Sequence, residues 1–257
     1  RAHGLLPPLP GRARKREGRA GEQKGRAQDR GDHRGSVPVG PFGRPGAHGR
    51  HAEVKTKSIM ATLLFITSAY PYYPGEQFIE TEIQFLAKIF EEIYILPLDG
   101  DTSKPHRPLP ANVFLVDEIR SFRKRYKKRL FARTIGLFRA LGAIIEELKT
   151  RKQLFAKHPK AFYPLLRTGS GAGQISSLIA RIISERRPSL IYSYWLSMGN
   201  LSVAIASERS QTTIPLVSRI HGFDLYEEIH NPPYCPFQAY MLRRQKALVP
   251  ISRDGER

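Results

Sequence analysis

Short apolar runs alternate with amphipathic stretches from Met60 onward, and this alternation constrains the fold more than any other feature. Strands are predicted at Thr62–Ser68, Ile93–Leu98, Asn112–Val116, Leu190–Tyr194, Ile214–Ile220 and Ala247–Ile251. Helices are predicted at Glu76–Phe90, 119–166, Ile175–Arg187, Leu196–Glu208 and Pro236–Arg244. Because strands that alternate with helices form parallel sheets, the sequence predicts an α/β fold with a doubly wound parallel sheet, which binds ligands at the carboxyl ends of its strands.

The first 59 residues differ in composition from the rest of the chain. They contain 14 of the 42 Lys and Arg, 11 of the 21 glycines and one aromatic residue, Phe42. Such a segment cannot bury a core, so residues 1–59 are predicted to be a disordered basic tail and residues 60–257 the folded domain. Three interpretations of the tail stay open: an arm that binds nucleic acid, a tail without a specific role, or translated non-coding sequence. We favour the third, because hydrophobic patterning begins at Met60.

Charge and cysteine content limit the compartment and the partners. The chain has a net charge of +19, of which residues 1–59 contribute about half. The single cysteine, Cys235, excludes an intramolecular disulfide and is typical of a reducing compartment. No apolar run reaches the roughly 18 residues that cross a bilayer. The sequence therefore predicts a cytoplasmic protein and leaves open a peripheral contact with the inner face of the cell membrane.

The loop between the first predicted strand and the first helix, Tyr70–Glu76, is one candidate site. Gly75 would let a ligand approach the backbone, and the N–H groups at the start of the helix favour an anion. The Pro74-Gly75 pair is equally typical of a plain turn. Glu76, Glu80 and Glu82 would also repel a phosphate, so the loop alone does not decide between the two interpretations.

A second candidate site follows the strand Ile214–Ile220. The imidazole of His221 could donate a hydrogen bond to a substrate oxygen, and Asp224 could hold that ring or a sugar hydroxyl. Arg219 could meet an anionic group, although strand alternation places it on the opposite face from Ile220. The alternative is a structural histidine followed by a glycine turn at Gly222.

A tryptophan, a glycine-rich run and the histidines are the remaining candidates for a binding site. Trp195 follows the strand Leu190–Tyr194 and could either stack on the apolar face of a sugar or belong to the core. The run Thr168–Gly173 lacks the spacing of a dinucleotide-binding loop and is predicted to be a flexible loop between helices. No pair of histidines beyond the tail has metal-ligand spacing on one element, so no metal site is predicted.

Three segments, taken in order, carry a resemblance to a known family. They are SAYPYYPGEQFIETEIQFLAK at 68–88, IPLVSRIHGFDLYEE at 214–228 and LVPISRDGE at 248–256. Together they resemble the N-terminal half of the family 4 glycosyltransferases, and most closely its members in capsular polysaccharide, exopolysaccharide and cell-wall biosynthesis. The resemblance implies a Rossmann-like domain that forms the acceptor side of a two-domain GT-B fold.

The resemblance also implies a chemistry and a set of site residues. The expected reaction is retaining transfer of a sugar from a nucleotide-sugar donor to a lipid-linked or glycan acceptor, without a bound metal ion or other cofactor. Gly75 and Glu76 then face the donor diphosphate, and His221 lies beside the transferred sugar as the catalytic residue. The expected sugar or acceptor contacts are Gly222, Asp224, Trp195 and Arg219. The family's donor-binding half would follow residue 257, so we expect negligible transferase activity from these residues alone.

Residues 120–133 are the most basic stretch after the tail. At helical spacing, Ile119, Phe122, Tyr126 and Leu130 would form an apolar stripe. The cations around the stripe are Arg120, Arg123, Lys124, Arg125, Lys127, Lys128, Arg129 and Arg133. Such a helix could lie on anionic lipid, attracted by about 1 kcal/mol per basic residue, or its stripe could pack on the core.

A second class of function competes with the enzyme. In this alternative, residues 1–59 and 120–133 belong to a non-enzymatic basic module that binds nucleic acid or an anionic membrane. The chain has no RRM, KH or helix-turn-helix signature, which disfavours nucleic acid as the partner.

Overall fold

The computed structural model describes residues 59–101, 103–116, 118, 119, 122 and 130–252, apart from the side chains of residues 59, 60 and 130. The predictions for residues 1–58 lie outside these ranges. The same is true of seven of the eight cations predicted to meet a membrane, namely Arg120, Arg123, Lys124, Arg125, Lys127, Lys128 and Arg129.

The described residues form a six-stranded sheet in the order β3-β2-β1-β4-β5-β6, and every neighbouring pair is parallel. The strands are β1 Ile59–Thr67, β2 Phe90–Pro97, β3 Val113–Leu115, β4 Leu190–Ser193, β5 Leu216–Ile220 and β6 Ala247–Pro250. This is the strand order of a Rossmann-like doubly wound sheet, in which the direction of strand addition reverses between β1 and β4. The predicted α/β class and all six predicted strands are confirmed.

Helices connect the strands and cover both faces of the sheet. They are α1 Ile79–Ile89, α2 Leu130–Arg139, α3 Leu141–Thr150, α4 Lys152–Lys157, α5 Phe162–Arg186, α6 Met198–Ser210, α7 Gly222–Leu225 and α8 Gln238–Leu242. Short 3-10 helices lie at Pro159–Ala161 and Glu227–Ile229. The prediction that a helix ends before Pro188 is confirmed, since α5 ends at Arg186 and Arg187 adopts a left-handed conformation with φ 46°.

The two faces of β1 show how the core is divided. Leu63 and Phe65 share one core cluster with Ile79 and Ile83 of α1. Leu64 and Ile66 point to the other face, where they share a cluster with the apolar side of α5. Because successive side chains of a strand alternate between faces, a continuous apolar run such as 63–66 is what a strand covered on both sides requires.

The predicted flexible loop at Thr168–Gly173 is wrong, because the run lies inside the continuous helix α5. A Cβ placed on Gly173 would lie 2.0 Å from the carbonyl oxygen of Gly136 on α2, and one on Gly136 would lie 2.2 Å from that of Ser170. The glycines therefore let α2 and α5 cross in backbone contact. Each glycine costs a helix about 1 kcal/mol relative to alanine, and tertiary packing offsets that cost here.

Two residues of the predicted apolar stripe pack inside the protein. Ile119 is 2% exposed and Phe122 is 8% exposed, and both belong to the core cluster on the α5 side of the sheet. These two side chains follow the core-packing alternative. Tyr126 and the side chain of Leu130 lie outside the described atoms, so the membrane contact of this segment stays a prediction.

Candidate functional site

Three strand ends meet where the strand order reverses. β1, β4 and β5 are neighbours in the sheet and run parallel, so Thr67, Ser193 and Ile220 all lie at its carboxyl edge. The loops that follow them carry Glu76, Trp195 and His221. Doubly wound sheets bind ligands at this position, because the connections leave β1 and its new neighbour in opposite directions.

Glu76 joins the first of these loops to the second. Its carboxylate accepts hydrogen bonds from the backbone N–H groups of Ser68 (3.0 Å), Ala69 (2.5 Å) and Tyr70 (2.6 Å). It also accepts one from the indole Nε1 of Trp195 at 2.5 Å. Four donors thus surround one carboxylate, and the N–H groups at the start of the loop are satisfied within the protein.

Gly75 allows this loop to fold back on itself. A Cβ at this position would lie 2.9 Å from the Cβ of Ala69, so any larger residue would push the two ends of the loop apart. The carbonyl oxygen of Gly75 accepts a hydrogen bond from Nη1 of Arg107 at 2.9 Å. Gly75 lies in the loop between the first strand and the first helix, as predicted, and these contacts determine the shape of that loop.

Arg107 was missed by the sequence analysis. It is 2% exposed, and its Nη1 also donates to the carbonyl oxygens of Pro71 (3.4 Å) and Tyr72 (3.2 Å). Its Nε lies 3.3 Å from the carboxylate of Glu80, and the guanidinium lies 4.2 Å from the ring centroid of Tyr73. No local pattern marks this residue, because the three carbonyl oxygens that accept its hydrogen bonds lie more than thirty positions earlier in the chain.

Trp195 and His221 form the centre of the site. Their rings stack with a centroid separation of 4.0 Å and an interplanar angle of 27°. Tyr194 lies beside the imidazole, and Phe78 stacks on Tyr194 at 5.3 Å. We call Phe78, Tyr194, Trp195 and His221 the aromatic platform. It joins the three strand ends through ring contacts.

His221 and Asp224 hold each other in a reciprocal capping box at the start of α7. The Asp224 carboxylate accepts the backbone N–H of His221 at 3.2 Å and that of Leu196 at 3.4 Å, and Nδ1 of His221 lies 3.4 Å from the same oxygen. Burial lowers the pKa of His221 below its usual range and raises the pKa of Asp224. The ring is therefore uncharged at neutral pH. The Nδ1 atom of His221 contacts the carboxylate of Asp224. No described residue forms a hydrogen bond with Nε2, so this atom can form one with a ligand.

Arg219 and Gly222 lie beside the platform and contact other residues of the protein. Arg219 lies on the opposite face of β5 from Ile220, as predicted, and forms an ion pair with Glu82 of α1. Its Nη1 also donates to the hydroxyl of Tyr194 at 2.8 Å. A Cβ on Gly222 would lie 3.2 Å from the ring of Tyr226. Arg219 thus holds the Tyr194 ring of the platform in place and links it to Glu82 of α1.

The structure also bears on metals and membranes. Within the described ranges, no group of three or more His, Cys, Asp or Glu side chains is placed to hold a metal ion. Among the helices described, none is long and apolar enough to cross a bilayer. Arg133, the last of the eight predicted membrane cations, is exposed on α2.

Comparison of the sequence with protein-family models and with curated proteins finds no match.

Proposed function

We propose that residues 60–257 form the acceptor-side domain of a retaining, nucleotide-sugar-dependent glycosyltransferase of polysaccharide or glycolipid biosynthesis. The observation that carries the proposal is the stack of Trp195 on an uncharged His221 at the carboxyl edge of the sheet. An aromatic face binds the apolar face of a sugar, and an uncharged imidazole beside it can bond a hydroxyl.

The charges around the platform favour a neutral ligand at this point. Glu76 is surrounded by four donors, Arg219 pairs with Glu82, and Asp224 bonds two backbone N–H groups. What remains for a ligand is the aromatic platform and Nε2 of His221. A sugar with one apolar face and several hydroxyls matches this surface better than a free phosphate does.

In the proposed reaction, His221 binds the sugar undergoing transfer or stabilises charge at the reacting centre. In this proposal, the neighbouring loop of Gly75 and Glu76 faces the donor diphosphate. The nucleotide sugar is a co-substrate, and the proposed chemistry uses no resident metal.

The test uses the chain's only tryptophan as a reporter. In a ¹⁵N-labelled sample, the indole N–H of Trp195 gives one resonance that can be followed during titration with hexoses, N-acetylhexosamines, uronic acids and their oligomers. We expect a saturable shift with at least one of these sugars, and we expect His221→Ala to weaken that binding about tenfold or more. His158→Ala is the matched control, because His158 lies at the end of α4, outside the platform.

Two results would contradict the proposal. One is an indole resonance that no sugar in the panel shifts, while DNA or RNA does, which would favour the non-enzymatic basic module. The other is sugar binding that His221→Ala leaves unchanged, which would place the sugar away from the platform.

A further inference from the structure

Two cavities adjoin on the α5 side of the carboxyl edge. The first has a volume of about 430 Å³ and reaches Asp224 and Phe223. The second has a volume of about 490 Å³ and extends to Arg133 on α2. Arg167 of α5 and Met198 of α6 line both cavities. We call the two cavities together the α5 groove; one end lies beside the turn that holds His221.

Among the described residues, the two arginines that line the α5 groove have no acidic partner. Arg167 and Arg133 are both exposed, and neither forms an ion pair with any residue the structure describes. A third cavity of about 520 Å³ at the opposite edge of the sheet differs in this respect. Its Arg243 and Arg244 both pair with Glu146. The unpaired guanidinium groups make the α5 groove suited to an anion, and a guanidinium binds phosphate through paired N–H groups.

The walls of the groove beyond Arg167 are mostly apolar, with Ser170 and Gln174 as their polar members. Leu137, Leu166 and Tyr163 line the second cavity, and Met198 lies at the junction of the two. Leu166 is 45% exposed and Tyr163 is 71% exposed, so water now covers surface that a hydrocarbon chain would bury. Each methylene buried there should tighten binding about fourfold. A phosphate-binding cation followed by an apolar wall matches a molecule in which a hydrocarbon chain is attached to phosphate.

We propose that the α5 groove binds the phosphate and the adjoining hydrocarbon of a lipid-linked acceptor, with the phosphate at Arg167. This inference rests on the proposed function, since it directs the sugar end of the acceptor past Asp224 toward His221. Arg133, which lines only the second cavity, adds a second positive charge to the groove. The acceptor is then an anionic glycolipid, and the groove selects it by the charge of its phosphate and by its hydrocarbon chain.

The test measures binding to the full chain by calorimetry with soluble single-chain probes below their micelle concentrations. We expect dodecyl phosphate to bind at least tenfold more tightly than butyl phosphate, inorganic phosphate or uncharged dodecyl maltoside. Arg167→Ala should weaken the binding of dodecyl phosphate about tenfold or more, because a charge-assisted hydrogen bond is lost. Arg181→Ala is the matched control. It lies on the same helix, pairs with Glu185, and should change the dissociation constant less than twofold.

Any of three results would overturn the inference. They are equal binding of butyl and dodecyl phosphate, equal binding of dodecyl phosphate and dodecyl maltoside, and equal loss of binding in Arg167→Ala and Arg181→Ala. The sugar titration of Trp195 is independent of all three. If sugars bind the platform while dodecyl phosphate does not bind, the groove assignment fails and the proposed function stands; the reverse pattern removes the proposed function.

Discussion

Replacement of Arg107 by alanine tests the architecture of the candidate site most directly. The side chain is buried and donates to three carbonyl oxygens of the loop that precedes α1. Pro71 keeps a hydrogen bond from the backbone N–H of residue 107, at 3.0 Å. The substitution therefore deprives the oxygens of Tyr72 and Gly75 of this donor. A hydrogen bond to a charged group is worth about 1.5–3 kcal/mol, so two of them amount to roughly 3–6 kcal/mol.

The other contacts of Arg107 change this figure little. The carboxylate of Glu80 is 49% exposed, and an ion pair with an exposed partner contributes less than about 1 kcal/mol. A loss of roughly 3–6 kcal/mol is a large part of the 5–15 kcal/mol that stabilises a typical domain. With a urea dependence of about 1–3 kcal/mol per molar, the unfolding midpoint should fall by more than about 1 M.

Urea unfolding, followed by circular dichroism, measures this loss. Arg107→Lys keeps the charge but cannot reach several carbonyl oxygens at once, so we expect it to fall between the wild type and Arg107→Ala. Arg181→Ala, an exposed arginine on α5, should change the free energy of unfolding by less than about 0.5 kcal/mol. The indole resonance of Trp195 should also move in Arg107→Ala, because Glu76 of the same loop bonds that group. A loss below about 1 kcal/mol with an unmoved indole resonance would refute the role given to Arg107.

Three further predictions follow from single contacts. Gly173→Ala should destabilise the protein by about 1–3 kcal/mol in urea unfolding, because the new Cβ would meet the carbonyl oxygen of Gly136. Gly142→Ala has open space around it and should stabilise the protein by up to about 1 kcal/mol, so equal effects of the two substitutions would contradict the close crossing of α2 and α5. Burial raises the pKa of Glu147, so the contribution of this residue to stability should fall as pH rises from the unfolded value of about 4.3 through the raised folded value. Glu147→Gln should therefore be the more stable protein at pH 7.5 but not at pH 4, and a pH-independent difference between the two proteins would argue against this prediction. Burial lowers the pKa of His221, so acidification should quench the fluorescence of Trp195 with a midpoint below pH 6.5. A quenching midpoint above pH 6.5, or quenching that persists in His221→Ala, would contradict the stacked, uncharged ring.

The sequence was informative where a local pattern determines the structure. Apolar runs such as 63–66 predict strands covered on both faces, and strand alternation correctly separates Arg219 from Ile220. The glycines of Thr168–Gly173 wrongly predict a loop because their effect on helix propensity is local, while Gly136, which Gly173 contacts, is more than thirty residues away. Arg107 escaped notice for the same reason. Its role depends on the loop that it contacts and leaves no periodicity in its own neighbourhood.

The candidate site combines both kinds of information. That Glu76, Trp195 and His221 follow strands could be read from the sequence, and their meeting at one edge follows once the strand order is known. Their pairing could not be read in this way. The hydrogen bond from Trp195 to Glu76 and the ion pair of Arg219 with Glu82 each join residues more than one hundred positions apart.

These distant pairings determine what kind of ligand each part of the edge can bind. At the platform the carboxylates of Glu76 and Glu82 are bonded internally, and the cation of Arg219 is held by Glu82. An uncharged ring surface remains there, whereas Arg167 in the adjoining groove forms no ion pair with a described residue. A molecule that binds both must carry an uncharged, hydroxyl-rich end and, beyond it, an anion. Under the two proposals a free sugar would bind only the platform and a lipid phosphate only the groove, so a sugar linked to a lipid phosphate should bind more tightly than either part alone.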